Sequence, residues 1–257
     1  MTERASACDP GSQPAPVSVV RLGPLAAEVR GSGPVVALLH GNGEDARVFD
    51  AMAPWLAGFK TVALEARGHG RSPRGPEPLT IPRLAADAAR ALDAARGGGG
   101  ARGDGGARCG IVGFSDGANV ALELALHRPD LVRGLVLIGG NLTPAGLKPG
   151  VRVATVATYA GLVAAGLVSR RRRARAEVWG LMVGQPRIDA ADLARIEAPA
   201  LVVAGQKDLI ARRHTELIAH SIPGSELVIV PGQGHMLPLT APAVLGRLAA
   251  AFLSSLA

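Results

Sequence analysis

Apolar residues fall along this chain in two alternating textures. Short aliphatic runs at Val17–Leu22, Ala26–Arg30, Val35–Leu39, Thr61–Glu65, Arg108–Val112, Leu135–Ile138, Leu201–Ala204 and Leu227–Val230 read as strands, set off by Gly, Pro and Asn. Between them, apolar positions recur at helical spacing over Arg47–Leu56, Ile81–Arg96, Ala118–Arg128, Arg212–Ser221 and Ala243–Leu256. The first two strands flank Gly23-Pro24 and suggest a starting hairpin. The rhythm that follows predicts an α/β fold, an eight-stranded, mostly parallel sheet with helices on both faces.

One stretch breaks the rhythm. Between Ile138 and Leu201, residues 142–195 carry helical apolar patterns at Val151–Val168 and Glu177–Val183, and are expected to form a small helical lid. Residues 17–141 and 196–257 would then form the core, and a packing insertion without a gating role is the plainer alternative. Met1–Pro16, rich in Ala, Ser and Pro, reads as a flexible tail without the apolar core of a secretory signal. Gly97–Gly106 reads as a glycine-rich surface loop, and the Arg102-Gly103-Asp104 tripeptide within it as chance.

At 257 residues and 48% hydrophobic content the chain can bury one sizeable core, yet its longest apolar stretch, Ala154–Val168, is too short and too often broken to span a bilayer. Cys8 and Cys109 make no disulfide framework, so a reducing cytoplasm is expected. The net charge of +7 is carried largely by arginine, most densely in Arg170-Arg171-Arg172-Arg173-Ala174-Arg175. A weak anion contact there is possible, but a solvated helix face is the ordinary reading. No aromatic residue interleaves the charges as base stacking would require, so no nucleic acid partner is expected.

The chemistry centres on Gly113-Phe114-Ser115-Asp116-Gly117, which lies between an apolar strand and a helix. Such a turn forces its serine into a strained backbone, and the flanking glycines leave room for neighbouring chain, so the hydroxyl of Ser115 stands at a helix N-terminus. A serine needs a base, and the base an acid to orient it. Asp208 follows the strand Leu201–Ala204, and His235 follows Leu227–Val230. In a doubly wound sheet all three would sit at strand carboxyl ends, on one rim.

The order Ser115, Asp208, His235 on this framework resembles the α/β-hydrolase family. Two further landmarks strengthen the resemblance: His40-Gly41-Asn42-Gly43 looks like the family's oxyanion loop, and Arg67-Gly68-His69-Gly70 like its Arg-Gly-His-Gly turn. Glu65 stands where many relatives carry aspartate, and Gln206 has no evident reading. The resemblance implies a serine hydrolase acting through an acyl-enzyme on a small-molecule carboxylic ester, thioester or lactone. It needs no cofactor, and no metal-ligand cluster or nucleotide fingerprint is evident. His235 would be general base and then acid, with Asp208 holding its tautomer. The backbone N–H of Asp116 and that of Asn42 or Gly43 would meet the oxyanion. Enol-lactone or carbon–carbon bond hydrolysis and perhydrolysis can use the same triad, and a non-catalytic ligand-binding scaffold is the alternative of another class. Haloalkane dehalogenation is disfavoured, because it resembles a branch with aspartate where Ser115 stands.

His40 and His69 are expected to fix loops, and His127, His214 and His220 to be solvated. Asp116 bears on substrate. Ser115-Asp116-Gly117, with Asn141 and the segments of Asp208 and His235, resembles the valacyclovir-hydrolase-like branch that cleaves amino acid esters, which implies that Asp116 holds a substrate ammonium. The alternative is that its carboxylate only matches the helix N-terminus.

Overall fold

The computed structural model describes residues 16–97 and 108–256; the expected N-terminal tail and most of the Gly97–Gly106 loop lie outside the described residues. The sheet has eight strands: β1 Ser18–Leu22, β2 Leu25–Arg30, β3 Val35–Leu39, β4 Lys60–Glu65, β5 Cys109–Phe114, β6 Val132–Ile138, β7 Ala200–Gly205 and β8 Glu226–Val230. They lie in the order β1-β2-β4-β3-β5-β6-β7-β8. The first two pairings, β1 with β2 and β2 with β4, are antiparallel, and the rest are parallel.

Both faces of the sheet are covered because its strands are apolar on both. Along β3, Ala37 and Leu39 join one core and Val36 and Leu38 the other; along β5, Ile111 and Val112 divide in the same way. Strand side chains alternate faces, so an unbroken aliphatic run supplies two cores at once. On one face lie α1 (Ile81–Gly97), α2 (Asp116–His127) and α5 (Arg212–Ser221), through residues such as Leu84, Leu124 and Ile218. On the other lies α7 (Pro242–Ser255), through Leu245 and Leu253, behind the short α6 (Leu237–Thr240).

The expected helix over Arg47–Leu56 is instead two 3₁₀ turns, Ala46–Phe49 and Ala53–Leu56. Pro54 explains the break, since it lacks an N–H and its ring would clash with the carbonyl four residues back. Between β6 and β7 the chain forms two long helices, α3 (Pro149–Gly166) and α4 (Arg170–Gly184), which pack on each other. Among the described residues, no helix is long and apolar enough to cross a membrane.

Candidate active site

The sheet order brings the carboxyl ends of β3, β5, β6, β7 and β8 side by side, and the sequence-predicted residues sit in the loops that leave them. Ser115 occupies the sharp turn from β5 to α2 with φ 53° and ψ −118°, and it is the one non-glycine residue with positive φ among the described residues. This conformation costs on the order of 1–3 kcal/mol and persists only where the surroundings enforce it. Its N–H donates to Ile138 O at 2.8 Å, while its carbonyl accepts from Ala118 N at 2.9 Å. Gly113 and Gly117 permit the turn by close approach. A Cβ on Gly113 would meet the carbonyl of Gly117, and one on Gly117 the carbonyl of Leu39.

His235 Nε2 lies 3.0 Å from Ser115 Oγ, and His235 Nδ1 lies 2.9 Å from Asp208 Oδ1. Asp208 is 3% exposed, and its Oδ1 also accepts from Ile210 N at 2.9 Å. Its carboxylate is therefore fixed before it orients the imidazole, and an Nδ1–H donor leaves Nε2 free to accept from a serine hydroxyl. Gly139 makes room for the ring. A Cβ there would come within 2.9 Å of His235 Cε1.

In the loop after β3 the three N–H groups have different fates. Gly41 N donates to Glu44 Oε2 at 3.0 Å, and Gly43 N donates to His69 Nε2 at 3.1 Å. Among the described residues neither Asn42 N nor Asp116 N donates a hydrogen bond. The bond to His69 thus commits the Gly43 donor, whereas the N–H groups of Asn42 and Asp116 are without a protein acceptor among the described residues. His40 and His69 fix loops, as expected. His40 Nδ1 donates to Gly41 O at 2.8 Å and Nε2 accepts from Ala66 N at 2.9 Å, while His69 Nδ1 donates to Arg67 O at 3.0 Å. Burial holds both imidazoles below the ordinary histidine range, His40 at about 4.

Asp116 is buried. Its carboxylate accepts from Asn42 Nδ2 at 2.9 Å and Asn119 Nδ2 at 3.3 Å, and Asn119 is joined in turn to Asn141. Those partners are neutral amide side chains, and no helix N–H is among them. Burial pushes its carboxyl above the usual range. A cavity of about 140 Å³ opens beside Ser115, lined by Asp116, Glu44, Asn141, Leu147, Met182 and His235 among others. Glu44 is a residue that sequence reasoning missed, and its carboxyl is likewise pushed up by burial. Its position three residues after Gly41 was the available signal.

Two other histidine and glutamine positions gain a role. His214, expected to be solvated, is half-buried and accepts from Leu142 N at 2.9 Å, which anchors the start of the β6–β7 insertion; burial lowers its pKa. Gln206 Oε1 accepts from Gly232 N at 2.8 Å and so ties the Asp208 loop to the His235 loop. Cys109 is buried, with its thiol pushed up to about 11 by burial, which keeps it from acting as a thiolate.

Residues 36–247 match the Alpha/beta hydrolase family. The pimeloyl-[acyl-carrier protein] methyl ester esterase of Neisseria meningitidis is 31% identical over 233 residues, a match covering 78% of this chain and 70% of that protein. The sn-1-specific diacylglycerol lipase ABHD11 of Mus musculus is 29% identical over 123 residues, 47% of this chain and only 36% of that protein. A crystal structure of a hydrolase from Pseudomonas aeruginosa PA01 superposes with a TM-score of 0.72 at 29% identity, covering 92% of this chain and 98% of that chain. With the matched span reaching from β3 into α7, this chain belongs to the alpha/beta hydrolase family.

Proposed function

We propose that this hydrolase cleaves a small carboxylic ester, thioester or lactone through an acyl-enzyme on Ser115. The observation that carries the reading is the continuous hydrogen-bonded line Ser115 Oγ, His235, Asp208, with steps of 3.0 and 2.9 Å. His235 Nε2 takes the hydroxyl proton as Oγ attacks the carbonyl carbon, and the imidazolium is stabilised by Asp208. The oxyanion is met by Asn42 N–H and Asp116 N–H, where losing one donor typically costs ~3 kcal/mol of barrier lowering. His235 then protonates the leaving group, and a water activated by the same imidazole releases the acid and restores the serine. Two of the relatives are named for ester cleavage, which supports the bond type. Residues 142–195 act as the cover of the site, because Met182 and Gln185 of this stretch line the cavity.

A fluorophosphonate probe tests this. Wild type should be labelled and Ser115→Ala should not; label that survives Ser115→Ala, or a folded wild type that never reacts, would sink the reading and favour a non-catalytic scaffold.

A second reading, amino acid ester hydrolysis, is favoured by one observation: the buried Asp116 carboxylate has two neutral partners and shares its cavity with Glu44. An anion so placed discriminates against acidic acyl groups and in favour of an ammonium. Asp116→Asn should cut hydrolysis of a valine ester far more than that of the matching ester without its amino group. Equal loss on both would remove the recognition role.

A further inference from the structure

The α3–α4 hairpin breaks the rule that a surface helix turns its polar side to water. Val153, Val156, Ala160, Val163 and Leu167 follow one another at alternating spacings of three and four residues, and all are exposed. Such spacing places them in one stripe along the outer face of α3. Val153 is 68%, Leu167 78% and Val168 91% exposed. The inner side of α3 rests on α4, so the outer side has no partner among the described residues.

Beyond the tip, α4 begins with Arg170-Arg171-Arg172-Arg173 and Arg175, all exposed. Ser169 caps this helix by accepting from Arg172 N, and its first turn contains no acidic residue. Cations at a helix N-terminus oppose the helix dipole, an arrangement that weakens the helix. No Asp or Glu occurs between Asp130 and Glu177. Elsewhere arginines meet carboxylates, as in Arg30 with Asp50, Arg67 with Asp87 and Arg128 with Asp93. The arginines of the run form no ion pair among the described residues, and Arg173 reaches only the carbonyl of Gly166 at 3.3 Å.

We propose that the α3–α4 hairpin docks this protein on an anionic lipid surface, with the apolar stripe and the Leu167-Val168 tip entering the headgroup boundary and the arginines meeting lipid phosphates. Apolar area combined with adjacent cations is what interfacial binding uses, at a depth of roughly 5–10 Å. Neither rival occupant satisfies both features. A second copy seated on the stripe would bring two arginine runs together, and the one carboxylate of each hairpin, Glu177 of α4, is already paired with Arg74. A nucleic acid would neutralise the arginines and leave the stripe in water. The hairpin that docks also contributes Met182 and Gln185 to the cavity beside Ser115, so the docked site faces a source of apolar esters.

Co-sedimentation with phosphatidylcholine vesicles, with and without phosphatidylglycerol, tests the proposal without reference to catalysis. Wild type should pellet with the anionic vesicles alone and be released as salt rises from about 0.1 M to 1 M, where the screening length falls to ~3 Å. Replacing Arg170–Arg173 with glutamine should weaken partitioning by about fivefold per arginine, on the order of 10²–10³-fold together. L167D/V168D should lose vesicle binding while keeping the wild-type circular dichroism spectrum. Wild type that stays in the supernatant overturns the proposal. So does binding that L167D/V168D retains, which would mark a plain polyanion site, or a wild-type dimer that ignores vesicles and that V156D converts to monomer, which would make a second copy the occupant.

Discussion

Gly43 donates its backbone N–H to Nε2 of His69 at 3.1 Å, so the loop beside Ser115 rests on an imidazole that must be neutral to accept. The other nitrogen of His69 donates to Arg67 O, and burial lowers its pKa. A proton on Nε2 would repel the N–H that it now holds. His69→Ala should lower kcat by up to about 10²-fold through misplacement of the neighbouring Asn42 N–H. His69→Gln, whose amide oxygen can accept but cannot titrate, should recover most of that rate, and kinetics on a soluble ester read the difference.

His40 supplies a stability prediction with a defined pH window. Folding holds its pKa at about 4 against 6.5, so the unfolded chain binds the proton first as pH falls. Its contribution is therefore complete above pH 6.5, declines below it, and is gone once pH passes about 4. The loss from this group is ~3 kcal/mol. Urea melts between pH 7 and 4.5 should show a steeper decline for wild type than for His40→Gln.

Glu44 Oε2 accepts from Gly41 N at 3.0 Å and so braces the loop that carries Asn42. Glu44→Ala should lower kcat/KM by roughly 10-fold through a looser loop, and Glu44→Gln, whose amide oxygen can still accept, should recover most of it. An unchanged kcat/KM in Glu44→Ala would mean that the loop holds its place without this bond.

Gly139 has φ 59°, and a Cβ on it would sit 2.9 Å from His235 Cε1. Gly139→Ala should cost about 1 kcal/mol in stability from the left-handed backbone and considerably more in kcat/KM, since the ring must shift away from Ser115. Thermal melts beside steady-state kinetics separate the two effects.

Arg67 forks onto the fully buried Asp87 of α1 with bonds of 2.6 and 2.9 Å. Arg67→Ala strands a buried carboxylate, although Arg90 still reaches it. The expected loss is about 3 kcal/mol, the low end for a broken buried pair. Calorimetry should find the melting temperature down by several degrees with the hydrolytic rate constant at room temperature little changed.

The parts of this molecule that were legible in its sequence are those where a local rule meets a local need. The Ser115 turn needs glycines at close approach, the apolar runs of β5, β7 and β8 need cover on both faces, and Asp208 and His235 follow strands that end on one rim. What the sequence did not reveal depends on contacts made across the fold. Glu44 matters because its carboxylate turns back on Gly41 N, Gln206 because β7 and β8 are neighbours, and His214 because α5 lies against the start of the insertion. The helix expected over Arg47–Leu56 failed for a local reason that the apolar period concealed, the proline at position 54. The outward apolar stripe of α3 has a period indistinguishable from that of a buried face, so only the fold reveals that it points to water.

Asn42 has two side-chain hydrogens, one held by Asp116 and the other by the carbonyl of Val178 in α4, at 2.8 Å. The amide is thus a latch between the nucleophile turn and the hairpin above it. Swing α4 away and one hydrogen comes loose beside the turn that carries Ser115, so a displacement of the hairpin would be felt in the loop after β3.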